Sequence, residues 1–160
     1  MTTATSALDF DSIALAVKKL RTMKDGNGNE LDIMPRTLVV SATNEAAARQ
    51  VARSTEVSRD SSVDNLGTRN LVVDLIANLE VEPRLDNTTK FGSNAGPAVW
   101  YLFASPSDSP VTVAFLDGKQ TPTIQQAESD FNTLGQSWRI FHDYGCALSD
   151  ERTAIRSDGE

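Results

Sequence analysis

The chain has 160 residues, 39% hydrophobic and 23% charged, a composition that builds one folded core rather than a disordered or membrane chain. No apolar run approaches the ~20 residues a membrane-spanning helix needs. Fifteen Lys and Arg, dispersed among twenty-two Asp and Glu, leave a net charge of −7, so recognition of nucleic acid through phosphate neutralisation is not expected.

The opening MTTATSALDFDS lacks a basic segment followed by an apolar core. No secretory signal is expected, and the cytoplasm is the simplest compartment. Residues 1–7 are small and polar and are expected to be disordered. Over residues 8–24 the apolar positions Leu8, Ile13, Val17, Leu20 and Met23 keep helical spacing. Asp9 and Asp11 stand near the start, and Lys18, Lys19, Arg21 and Lys24 near the end, the charge order that suits a helix dipole. DGNGNE at 25–30 then stops the helix. TLVVS at 37–41, after Pro35, reads as a buried strand. Thr43 or Asn44 can cap a second helix through Arg53.

Residues 54–69 are polar and predict an exposed loop. NLVVDLIA at 70–77 is too short for its periodicity to separate helix from strand. Residues 79–85 alternate as a strand, 86–96 read as a second loop, and 100–104 as a buried strand followed by the turn SPSDSP. From there the pattern is β. Val111, Val113 and Phe115 alternate with Thr112, Ala114 and Leu116, and Asp117-Gly118 is a strong turn signal. Residues 121–127 form a weaker strand whose Pro122 favours an edge. Residues 136–142 set Trp138, Ile140 and His142 against Ser137, Arg139 and Phe141, and Gly145 marks a bulge or a close backbone approach. One domain is expected over 8–157.

No catalytic constellation emerges. The D-x-N-x-N at Asp25 resembles the start of a calcium loop. Its sixth position is Glu30 where Gly is needed, and its twelfth is Arg36 where a bidentate Glu should close the shell. His142 is the sole histidine, which excludes a multi-histidine metal site within one chain. Its neighbour Asp143 points to the opposite strand face, which argues against a dyad. A structural His at a sheet or subunit contact is the expectation. The lone Cys146 excludes an internal disulfide and reads as a small buried apolar residue. The glycines around Asn27 follow a helix rather than a strand, the wrong context for a phosphate cradle. Trp100, Tyr101, Phe103 and Phe115 lack the basic neighbours of a stacking platform and are expected in the core. Catalytic, cofactor and metal residues are therefore all predicted to be none.

Taken in order, the GN turn at 25–30, PRTLVV at 35–40, EPRLD at 82–86, WYLFA at 100–104, VAFLDG at 113–118 and HDYG at 142–145 resemble the major capsid proteins of tailed phages and prophages. The subgroup is similar to the Mu-like major head subunit and to the capsid half of prohead protease–capsid fusions. The resemblance implies an α+β, HK97-like fold. Residues 8–104 would be mostly an axial domain, a mixed sheet with flanking helices, and 111–156 would supply long strands of a peripheral domain. The family's N-terminal arm, extended loop and spine helix find no counterpart in these residues. The implied role is a structural virion protein, not an enzyme, assembled in the bacterial host cytoplasm into a shell that encloses DNA. Implied partners are copies of itself in pentamers and hexamers, other capsid chains, and a scaffold or prohead protease. Sequence-specific nucleic acid and membrane are not among them. Alternatives are a head-completion or decoration module, an encapsulin-like compartment subunit, and a hydrolase with a shared intersubunit site at His142 or Asp143.

Overall fold

The computed structural model describes residues 2–4, 6–57, 68–128, 132 and 135–159. In chain order the elements are β1 (Thr2–Ala4), α1 (Phe10–Arg21), β2 (Pro35–Val40), α2 (Glu45–Arg53), β3 (Glu56–Val57), β4 (Thr68–Arg69), β5 (Asn78–Val81) and α3 (Thr88–Phe91). Then come β6 (Trp100–Ala104), β7 (Val111–Phe115), β8 (Thr123–Gln126), β9 (Trp138–Phe141), β10 (Tyr144–Leu148) and β11 (Ala154–Ser157). They form two compact units: Met1–Pro110 with Asp150–Glu160, and Val111–Ser149.

The first unit is built on a five-stranded mixed sheet, order β1-β11-β6-β2-β5. Strand β2 pairs parallel with β5 and antiparallel with β6, which makes it an interior strand beside the edge strand β5. Pro35 stands at its first residue, where a missing N–H costs least. Side chains alternate across the sheet, so Leu38, Val40, Trp100, Leu102 and Ile155 share one buried face. Against them pack Ile13, Ala16, Val17 and Leu20 of α1, and Ala48 and Ala52 of α2. The mixed α+β layer is thus as the patterns implied.

Helix α1 is shorter than the apolar spacing suggested because its caps intervene. The Asp9 carboxylate accepts from the Ser12 N–H at 2.7 Å, and the Thr22 hydroxyl donates to the Lys18 carbonyl at 2.9 Å. Leu8 and Met23 still pack on the core from outside the helix. At α2 the cap position is Asn44, but its side chain makes no cap bond. Other residues serve that end: the Ser41 hydroxyl accepts from the Asn44 N–H at 3.2 Å, and the Asp86 carboxylate from the Thr43 N–H at 3.3 Å. A negative group there suits the helix dipole.

Several expectations are corrected. The first residues are not wholly disordered: β1 lies parallel to β11 along the sheet edge. Its attachment follows from Ser6, whose carbonyl accepts from the Ser157 hydroxyl at 2.8 Å and from the Trp100 indole at 3.1 Å. Strand β5 ends at Val81 because Glu82 caps a 3-10 turn, Pro83–Asp86, by accepting from the Arg84 N–H at 3.0 Å. Residues 70–77 resolve as a 3-10 turn, Leu71–Asp74, which brings Val72 into the core, with Ile76 just beyond it. The loop expected at 86–96 contains α3 and a 3-10 turn, Gly92–Asn94. Residues 58–67 of the loop expected at 54–69 lie outside the described residues; beside them β3 pairs antiparallel with β4. The last strand, expected among the peripheral-type strands of 111–156, is β11 of the main sheet, because its Ile155 fills the core opposite Leu102.

The second unit is one long hairpin ribbon. Strand β7 pairs antiparallel with β10, and β8 with β9, so 111–126 is the outgoing leg and 138–148 the returning one. Between the two ladders, residues 116–122 oppose only residues 142 and 143. This wide bulge holds Asp117 and Gly118 at φ +53° and +68°. The Asp-Gly signal therefore serves the bulge and does not fold β7 and β8 into a hairpin. Gly145, expected at a bulge or a close approach, sits in unbroken register opposite Ala114. The legs that read as separate strand pairs thus form a single ribbon.

Candidate interaction surface

Of the described residues weighed for chemistry, only His142 and Asp143 come together in one cavity. Asp25 spends its carboxylate on its own turn, accepting from the N–H groups of Asn27 at 2.8 Å and Asn29 at 2.9 Å, and from the Asn29 side-chain amide at 3.0 Å. Those bonds, led by the Asn29 side chain, hold its carboxyl below the ordinary value. Among the described residues no group of three or more His, Cys, Asp or Glu could hold a metal ion. In the main sheet, the Tyr101 hydroxyl donates to the Asn94 carbonyl at 2.8 Å. Burial pushes that phenol up, opposed by the neighbouring Arg156.

His142 and Asp143 stand at the ribbon's bulge and line one small cavity of about 90 Å³ with Asp117 and Lys119. The imidazole is engaged by rings: it stacks on Phe115 with centroids 5.6 Å apart and meets Tyr144 at 5.2 Å. Cys146, expected to be buried, is exposed. Phe115, expected in the core with Trp100, belongs instead to the ribbon, and Tyr101 and Phe103 stack on the half-buried face of the main sheet.

What the exposed residues build is a ribbon with apolar faces. Of thirteen large hydrophobic side chains exposed among the described residues, nine lie in it: Val111, Val113, Leu116, Ile124, Trp138, Ile140, Phe141, Tyr144 and Leu148. Strand alternation sorts them. In the β7–β10 ladder the pairs Val111–Leu148, Val113–Cys146 and Phe115–Tyr144 share one face, and Thr112, Ala114, Gly145 and Ala147 the other. In the β8–β9 ladder Ile124 and Ile140 stand opposite each other, next to Gln126 and Trp138. The reverse face there carries Arg139, which donates to the Gln125 amide oxygen at 2.7 Å and lies 5.8 Å from the centroid of the Phe141 ring.

Leaving such a surface in water is unfavourable, by roughly 25 cal/mol per Å² of apolar area. Contiguous apolar patches on a folded chain mark docking surfaces. Alternation alone does not reveal this one, because alternating apolar residues are also how a half-buried strand of a single chain looks.

Comparison with known proteins places the chain in a family. Residues 1–157 match the family described as phage capsid protein. The chain belongs to that family. Among solved structures it is similar to the virus-like particle from Pyrococcus furiosus, with a TM-score of 0.50 and 9% sequence identity. That alignment covers 98% of this chain and 56% of the other, so this phage capsid family member spans about half the length of that subunit. At such low identity the likeness concerns the fold alone. No curated protein matches.

Proposed function

We propose that this chain is a structural capsid subunit that assembles with copies of itself, and that its ribbon is the main contact between copies. The observation that carries this reading is the pairing of family membership with the exposed apolar faces of β7–β10 and β8–β9. The role is mechanical, with no catalytic step, and the place of action is the virion after assembly in the host cytoplasm. Copies grouped as pentamers and hexamers, other capsid chains, and a scaffold or prohead protease are the partners this reading brings with it.

The finer architecture follows the HK97 plan in this proposal. The sheet unit, Met1–Pro110 with Asp150–Glu160, takes the axial part, and Val111–Ser149 takes the peripheral part as an extended hairpin. Support comes from the division of the chain: one unit holds the buried core cluster, while the described residues of the other are nearly all exposed.

Sedimentation followed by electron microscopy tests this. Shells, curved sheets or capsomer-sized rings from the wild-type chain, lost on replacing Trp138 and Ile140 with Ser, are the expected result. A chain that stays monomeric at high concentration in every salt, or assembles as well without those two side chains, contradicts it.

A further inference from the structure

The ribbon breaks register at one place, and the only histidine of the chain stands there. The His142 ring lies nearly parallel to Phe115, with an interplanar angle of 17°, and tilts against Tyr144 at 43°. These contacts tie the end of the β7–β10 ladder to the bulge. Yet the Nε2 atom of His142 is buried and has no hydrogen-bond partner among the described residues. A neutral imidazole tolerates this by leaving Nε2 as a bare lone pair, with its proton on Nδ1. An imidazolium would place a charged N–H in the same spot with no acceptor, a far costlier arrangement.

Four other titratable groups surround the ring. Asp143 adjoins it in sequence, Asp117 and Lys119 come from the bulge, and Tyr144 comes from β10. Strand β7 presents only the uncharged Phe115. The two carboxylates line the same small cavity as the imidazole and offer a charged ring the acceptors it lacks. The attraction of a cation for aromatic faces would hold a charged ring on Phe115 and Tyr144, but supplies no acceptor for Nε2.

We propose that His142 is a protonation-controlled latch: neutral, it stacks and holds the two ladders of the ribbon in one line; charged, it leaves the stack and lets them move independently. Histidine is the side chain whose charge ordinarily changes between about pH 5 and pH 8. The latch then gives the contact surface a pH dependence, a consequence that rests on the ribbon being the contact between copies.

NMR of the full chain in its unassembled form tests the latch without any assembly. From about pH 8 to about pH 5, the Phe115 and Tyr144 ring signals are expected to move with the same midpoint as the His142 ring, while those of Trp100 stay fixed. In His142→Phe, which stacks but cannot titrate, Tyr144 should hold its alkaline position throughout. In His142→Gln, neutral and unstacked, it should hold the acid position even at high pH. Flat Phe115 and Tyr144 signals through the His142 titration, or the same movement in His142→Phe, would overturn the latch. For assembly, wild-type association should weaken about tenfold per pH unit below the midpoint, the slope of one linked proton, and His142→Phe should lose that slope. Equal association of the wild type at both pH values overturns the regulatory part. Failure to associate at any pH overturns the ribbon as a contact, and with it the regulatory part, while the latch itself stands or falls on the ring signals.

Discussion

The indole of Trp100 donates a hydrogen bond to the carbonyl of Ser6, 3.1 Å away and 94 residues earlier in the chain. The same carbonyl accepts from the Ser157 hydroxyl at 2.8 Å, so one backbone oxygen gathers the first segment, β6 and β11. Replacing Trp100 by Phe keeps most of the buried ring and removes the donor. We expect a loss of about 1 kcal/mol, read as a lower denaturation midpoint with an unchanged slope. Amide exchange at Thr3 and Ala4 should quicken more than at Leu38.

The two units should answer the same kind of truncation differently. Leu102 is fully buried in the sheet core, whereas Ile140 is 67% exposed on the ribbon. Leu102→Ala is expected to cost about 2–5 kcal/mol of stability. Ile140→Ala should stay within about 0.5 kcal/mol of wild type and yet reduce association measurably by sedimentation. Equal stability losses at the two positions would mean that Ile140 is packed within its own chain.

Acid should weaken the turn at Asp25. Its carboxyl is held below the ordinary value when folded, so the stabilisation is complete above the unfolded carboxyl range and disappears as pH falls through the folded value. Asp25→Asn is therefore expected to melt below wild type at neutral pH and together with it near about pH 2. A gap that persists in acid would assign the effect to something other than charge.

Salt is expected to strengthen association. Every copy carries −7, and repulsion between exposed charges is screened over about 8 Å at physiological ionic strength. Sedimentation at low and high sodium chloride should show larger species in the latter. Tighter assembly at low salt would point to ion pairs, with Arg139 the first candidate.

Much of the first unit was legible because its signals are local. Ile13, Val17 and Leu20 fall on one helical face wherever the helix docks, and Leu38 and Val40 alternate with half-buried Thr37 and Val39 because β2 has one buried face. Boundaries were less so: the cap of α2 depends on Ser41 and Asp86, and Asp86 is 42 residues from Asn44 in sequence. Strand β11 was misplaced because ERTAIRS carries a single large apolar residue, Ile155, which becomes a core position only once β6 lies beside it.

The amino-acid sequence by itself determined the charge, the α+β order of elements and the lack of any recognisable catalytic motif, since those depend on residue type and spacing. Which strands pair was decided only by the tertiary structure. So was whether an alternating face is covered: Val111, Val113 and Phe115 have the pattern of Leu38 and Val40, yet Val111 and Val113 are exposed and Leu38 and Val40 buried. Alternation says that one side of a strand seeks cover. The cover itself comes from distant parts of the chain, or from another copy.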